Sequence, residues 1–203
     1  AQCRCPKMKT STCCFCENSS AHLYSGSEAP LKTYSPPLAR RLAVVSAASA
    51  AGYGDFVEHL TGNPYGFRFS CELFPAPMQG ADAPAGIIAA LDKIAARAEE
   101  FDAALILRGG GSATDLACFD DYDMAVAIAT CTAPVITAIG HDKDVHVADL
   151  VASGSVKTPT ALADLFLNMY KAEDEEITSL ATAVDFAVTR RLHSLESSLV
   201  ALR

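Results

Sequence analysis

Past a Ser/Gly/Pro-rich stretch from Asn18 to Pro37, the hydrophobic residues follow two alternating rhythms. Leu42-Ala43-Val44-Val45-Ser46 is a short apolar run that reads as a buried strand, and a small-residue loop and a short helix from Gly54 to Leu60 follow it. Phe67 to Phe74 alternates apolar and polar residues and predicts a second strand. Gln79-Gly80 turns the chain, and Ile87, Ile88, Leu91 and Ile94 then recur at helical spacing within Pro84 to Phe101. Ala103 to Leu107 predicts a third strand, Asp121 to Cys131 a helix, and Pro134 to Ile139 a fourth strand. Repeated β-α-β order predicts an α/β fold, a mostly parallel sheet of about four or more strands flanked by helices. From Thr160 to Arg203 there is neither Gly nor Pro, which predicts a long C-terminal helix. Its length exceeds the roughly 11 to 12 residues of a mean helix, so it reads either as an extension that packs on another chain or as two ordinary helices on the core.

Composition narrows the function classes. With 16 Lys+Arg against 24 Asp+Glu, the net charge of -8 gives no general attraction for polyanions and argues against nonspecific coating of nucleic acid. Half of the residues are hydrophobic and 20% charged, a globular composition with material for one sizeable core. The longest uncharged stretch, Met124 to Gly140, is interrupted by Thr130, Thr132 and Pro134, so no membrane span is expected. No secretory signal is visible after Ala1-Gln2-Cys3-Arg4-Cys5, and the expected location is cytoplasmic. Five of the 8 cysteines, Cys3, Cys5, Cys13, Cys14 and Cys16, cluster at the N-terminus in C-x-C and C-C-x-C spacings that do not suit structural zinc, so a leader or tail is the plainer reading. Cys71, Cys118 and Cys131 sit singly in apolar contexts and read as buried thiols. The expected organisation is a Cys-rich segment over 1–30, an α/β core over 31–165 and a helical extension over 166–203.

In parallel sheets ligands sit beyond the C-terminal ends of the strands, and unusual residues stand there. The third strand ends in Arg108-Gly109-Gly110-Gly111-Ser112. Three glycines bring backbone N–H groups close to a ligand, a geometry suited to phosphate oxygens, and Arg108 adds a permanent charge whose fork matches phosphate. Neither a P-loop nor a dinucleotide fingerprint is present, and a tight strand-to-helix connection would explain the glycines equally. The fourth strand ends in Gly140-His141-Asp142-Lys143-Asp144. At i and i+3 of a helical turn, His141 and Asp144 would share a face as an acid–base pair; His146 and Asp149 repeat the spacing as an internal competitor. Asp55 follows the first strand, where a carboxylate serves as helix cap or as orienter.

Together these residues resemble the large subunit of exodeoxyribonuclease VII, a bacterial nuclease that degrades single-stranded DNA from either end. The resemblance runs from about Leu38 to Leu165 and rests on Arg108-Gly-Gly-Gly-Ser112 with Asp115-Leu116 and Phe119, on Gly140-His141-x-x-Asp144-Val145, on Ala148-Asp149, and on Thr158-Pro159-Thr160-Ala161. Val44-Val45-Ser46 with Asp55, and Gln79-Gly80-x-Asp82-Ala83-Pro84, match more loosely. The resemblance implies catalytic roles for Asp55, Arg108, His141 and Asp144, with Gly109, Gly110, Gly111 and Ser112 as the phosphate-binding loop. It also implies a small helical subunit bound through the C-terminal helix, single-stranded DNA as substrate, and activity that survives without added metal. Three departures stand out. The first 30 residues are unlike the family's strand-binding OB domain, which suggests a truncated core; Leu107 replaces a usual Gly; Ala113 and Thr114 replace larger polar residues.

The expected chemistry is hydrolysis of phosphodiester bonds that releases oligonucleotides, with the loop and Arg108 holding the phosphate and His141 moving the proton. These residues fix no cofactor and leave the metal open; Asp55, Asp144 and Asp149 are the carboxylates that could hold Mg2+. The rival class is a noncatalytic phosphate- or nucleotide-binding module in which His141 is structural, and a third is a scaffold whose C-terminal helix recruits partners.

Overall fold

The computed structural model describes residues 38–109, 113–140 and 145–202, with backbone alone for 113–115. The cysteine cluster falls outside them, as do Gly110, Gly111, Ser112, His141 and Asp144. Five strands form one parallel sheet: β1 (Arg41–Ser46), β2 (Ser70–Pro75), β3 (Ala103–Leu107), β4 (Val135–Ala138) and β5 (Gly154–Ser155), in spatial order β2-β1-β3-β4-β5. The helices are α1 (Ala51–Thr61), α2 (Ala83–Ala95), α3 (Tyr122–Thr130), α4 (Val147–Val151) and α5 (Pro159–Ala201), with 3-10 turns at Ala98–Glu100 and Ala113–Asp120. The expected α/β class and the single long C-terminal helix are both present.

The chain leaves β1 toward one edge of the sheet and returns past it from β2 toward the other. Crossovers of one hand then place the first helix on one face and the next on the opposite face. The packing follows that rule. Leu42, Val44, Leu105 and Leu107 point into a core with Phe56 and Leu60 of α1 and Leu162 and Phe166 of α5. Their neighbours Ala43, Val45, Ala104 and Ile106 point the other way, into a core with Ile87, Leu91 and Ile94 of α2 and Met124 and Ile128 of α3. Strict alternation along strands buried on both faces explains why β1 and β3 read as unbroken apolar runs.

Several boundaries differ from the sequence expectation. The second strand begins at Ser70, not Phe67: Phe69 lies against Phe166 and Tyr170 of α5, and Phe67 stacks near Tyr65 and Tyr170. Aromatic packing on a helix produced the alternation there. The helix expected to reach Phe101 stops at Ala95, because Arg97 turns out to Glu72 and Glu100 and Phe101 packs edge-on against Phe74. Cys71, Cys118 and Cys131 are half-buried, and burial pushes the Cys71 thiol up to about 11. Among the described residues no helix is long and apolar enough to cross a membrane.

Helix α5 has two parts. Thr158 caps it, its hydroxyl accepting from Ala161 N at 3.1 Å, and Pro159 opens the first turn. Leu162, Ala163, Phe166, Leu167 and Tyr170 are buried; the residues beyond are exposed, apolar ones included.

Candidate active site

Beyond the C-terminal ends of β1, β2 and β3 lies an open cleft of about 440 Å³. Ala47, Ser49, Ala50 and Ala51 line it after β1, Pro77, Met78 and Gln79 after β2, and Arg108 and Gly109 after β3. Its position follows from the strand order. The connections from the neighbouring strands β1 and β3 cross opposite faces, α1 on one and α3 on the other, so their loops separate and open a crevice above β1 and β3.

Alternation along β3 decides where Arg108 goes. Leu107 faces α1 and α5, so Arg108 takes the opposite face, while its backbone N–H continues the ladder to Ala138 O at 3.0 Å. The residue is only 8% exposed. Ser46, the last residue of β1, donates its buried hydroxyl to Leu107 O at 2.8 Å and ties the two strand ends where the ladder between them stops. A buried guanidinium at a rigid strand end acts more strongly on an anion than an exposed one on a loop.

The first turn of α1 closes the other side. A Cβ on Gly52 would lie 2.7 Å from Gly109 Cα, and a Cβ on Gly109 would lie 2.6 Å from Gly52 N. Glycine at both positions is therefore a condition for the helix start to rest against the Arg108-Gly109 backbone. Ala50 is the N-cap and offers no side-chain acceptor, and the first turn carries no acidic residue. The partial positive end of α1 thus opens onto the same cleft as Arg108, an arrangement that favours an anion.

Asp55 is placed differently from its reading as a possible cap. Helix α1 starts at Ala51, so Asp55 is in its second turn, exposed, and not among the residues that line the cleft. The competing pair His146 and Asp149 is used for structure. Asp149 accepts the His146 backbone N–H at 3.3 Å and the Thr137 hydroxyl, which fastens α4 to β4. His146 is 7% exposed and turns its Nδ1 to Asp120, 3.2 Å away, while Nε2 is buried without a hydrogen-bond partner among the described residues. Burial pushes the Asp120 carboxyl up, but the Val147 N–H and the His146 ring outweigh it and hold the group below its ordinary value. Asp120 ends the turn that leads out of the glycine loop, and His146 and Val147 open the helix that follows the His141 segment, so this carboxylate joins the two connections.

The sequence reading missed Ser46, the alanines of the α1 start, and the cleft wall Pro77-Met78-Gln79. Gln79-Gly80 was visible as a turn. Its place beside Arg108 depends on β1 lying between β2 and β3, which no local pattern reveals.

A family profile described as "Exonuclease VII, large subunit" matches residues 28–203. The chain belongs to the exonuclease VII large-subunit family. Among its relatives is the exodeoxyribonuclease 7 large subunit of a Cyanothece species, 39% identical over 154 residues, covering 73% of this chain and 35% of that protein. The protein of the same name from Bordetella avium is 41% identical over 128 residues, covering 63% of this chain and 28% of the relative. That of Brevibacillus brevis is 43% identical over 116 residues, with 57% and 25% covered. The chain thus spans about a third or less of the length of these exonuclease VII relatives, while the profile takes in the whole sheet, the cleft and α5.

Proposed function

We propose that this chain carries the catalytic core of an exodeoxyribonuclease that hydrolyses phosphodiester bonds in single-stranded DNA from either end and releases oligonucleotides. The observation that carries this reading is the buried Arg108 at a switch-point cleft that also receives the positive end of α1. A phosphodiester placed there meets a guanidinium and the positive end of a helix in a fixed arrangement, and such preorganised charge is usually the largest contribution to this kind of catalysis. Gly109, Gly110, Gly111 and Ser112 complete the phosphate cradle. His141 moves the proton, as base for the attacking water or acid for the leaving oxygen, with Asp144 or Asp55 orienting it. Asp149 is already engaged by Thr137 and the His146 backbone, which leaves Asp55 and Asp144 of the three carboxylates considered for Mg2+.

The partner in this reading, besides the single strand, is the exonuclease VII small subunit, bound in the cytoplasm through the exposed part of α5. Ile177, Leu180, Val184, Val188, Leu192, Leu195, Leu199 and Leu202 are exposed there at steps of three or four, the stripe by which one helix packs on another.

The test is digestion of end-labelled single-stranded and duplex DNA by the full-length protein with its small subunit, with and without EDTA, beside His141→Ala. The single strand is expected to be cut selectively, with and without EDTA, and His141→Ala to lose roughly 10²- to 10⁴-fold in rate. An intact single strand would favour the noncatalytic phosphate-binding module, and equal cutting by the variant would take the proton transfer away from His141.

A further inference from the structure

We infer that the cleft beside Arg108 is a subsite for one unpaired nucleotide, with its base against Pro77 and Met78 and its phosphate at Arg108, and that this pocket selects for single strands. The inference rests on the proposed function for the placement of the phosphate. The remaining support comes from the walls.

At about 440 Å³ the cleft is at the lower end of the range for small-molecule sites, which suits one nucleotide. Among the described residues its lining contains no Asp or Glu, and Arg108 is its charged group. Pro77 is braced from behind: a Cβ on Gly86 of α2 would come within 2.5 Å of Pro77 Cδ, so ring and helix are in close contact. Met78, mostly buried on the α2 side of the core, also lines the cleft, and its polarizable side chain suits contact with a flat ring. Gln79 is exposed at the rim, and its amide can donate to and accept from a base edge. On the facing side Ala47, Ala50 and Ala51 keep the slot open by being small.

A base in this slot has left its stack and its partner. A base in a duplex would first have to be extruded, at a cost of about a few kcal/mol, whereas an unpaired base pays less. Selection for single strands then follows from the cost of extruding a paired base into the slot beside the phosphate position.

The experiment is equilibrium binding of deoxythymidine 5′-monophosphate and of inorganic phosphate to the full-length protein, its Ala50→Leu, Gln79→Ala and Arg108→Ala variants, and a single-strand cleavage assay on the wild type. The wild type is expected to bind the nucleotide at least about tenfold more tightly than phosphate. Ala50→Leu fills the slot at the α1 N-cap without removing a side-chain cap, since neither an Ala nor a Leu side chain offers an acceptor, and should abolish that margin while phosphate affinity stays within about twofold. Gln79→Ala, at the exposed rim, should narrow the margin, and Arg108→Ala should weaken both ligands. Equal binding of nucleotide and phosphate by the wild type, or an unchanged margin in Ala50→Leu with native circular dichroism, would overturn the subsite. Cleavage of single strands without a nucleotide preference would refute the subsite alone; a preference without cleavage would refute the hydrolytic reading and leave the subsite standing.

Discussion

Gly52 and Gly109 meet backbone to backbone, and that contact sets how near the α1 start comes to Arg108. Gly52→Ala puts a methyl 2.7 Å from a backbone atom that no rotamer change can move, so the helix start must shift. The expected result is a loss of about 1 to 3 kcal/mol in stability by thermal unfolding, with cleavage reduced further than the folded fraction explains. The place of Arg108 at a strand end beside the cleft was legible, because a charged residue followed by three glycines is conspicuous where ligands bind in parallel sheets. Asp55 was legible only as a carboxylate near a helix start. The Ala48-Ser49-Ala50-Ala51-Gly52 loop carries no turn signal strong enough to say where α1 begins, and the structure begins it three residues before the expected Gly54.

The elements were legible where packing on both faces makes a run wholly apolar. Strands β1 and β3 fall close to their expected bounds for that reason, and α3 begins at Tyr122, one residue past the expected Asp121, which caps it by accepting from Met124 N at 2.9 Å. The two-residue β5 was not legible; it is held by two register positions against β4 and has no pattern of its own. The starts of β1 and β3 are joined by Asp102, which accepts from Arg41 Nη2 at 2.6 Å and from the backbone N–H groups of Arg40 and Arg41. The Arg41 side chain, with those N–H groups, holds the Asp102 carboxyl down from the usual 3.8 to about 2. A carboxyl depressed in the folded state adds stability that is complete above its unfolded value and disappears as pH falls through its folded one. Thermal unfolding should therefore show this contribution in full above about pH 4 and losing it toward pH 2, and Asp102→Asn should flatten that part of the profile. A variant profile as steep as the wild type's would remove Asp102 as a cause. At the other end of the sheet, Asp120→Ala leaves the Val147 N–H and His146 Nδ1 without this acceptor. About 1 kcal/mol of destabilisation is expected, at the low end because Asp120 is half in water.

At the scale of the molecule, the sheet carries the cleft and α5 carries the outward surface. The division comes near Tyr170, after which the helix no longer serves the core. Leu180→Glu with Leu195→Glu should leave the unfolding temperature of the core unchanged and reduce association with the small subunit, measured by light scattering after gel filtration; unaltered association would place that partner elsewhere. The alternation of strands and helices was legible along the chain, but the order β2-β1-β3-β4-β5 was not, because it is decided by which faces the helices cover. That order is what brings Gln79, Ala50 and Arg108 to one place. The central claim is that this place is where the phosphodiester is cleaved. Its most direct test is the single-turnover cleavage rate of single-stranded DNA by the full-length protein with Arg108→Ala, measured with the strand saturating. A fall of about 10² to 10³ in that rate is predicted, as for loss of one preorganised group facing developing charge. A rate within about twofold of the wild type would contradict the account and move the chemistry away from the cleft.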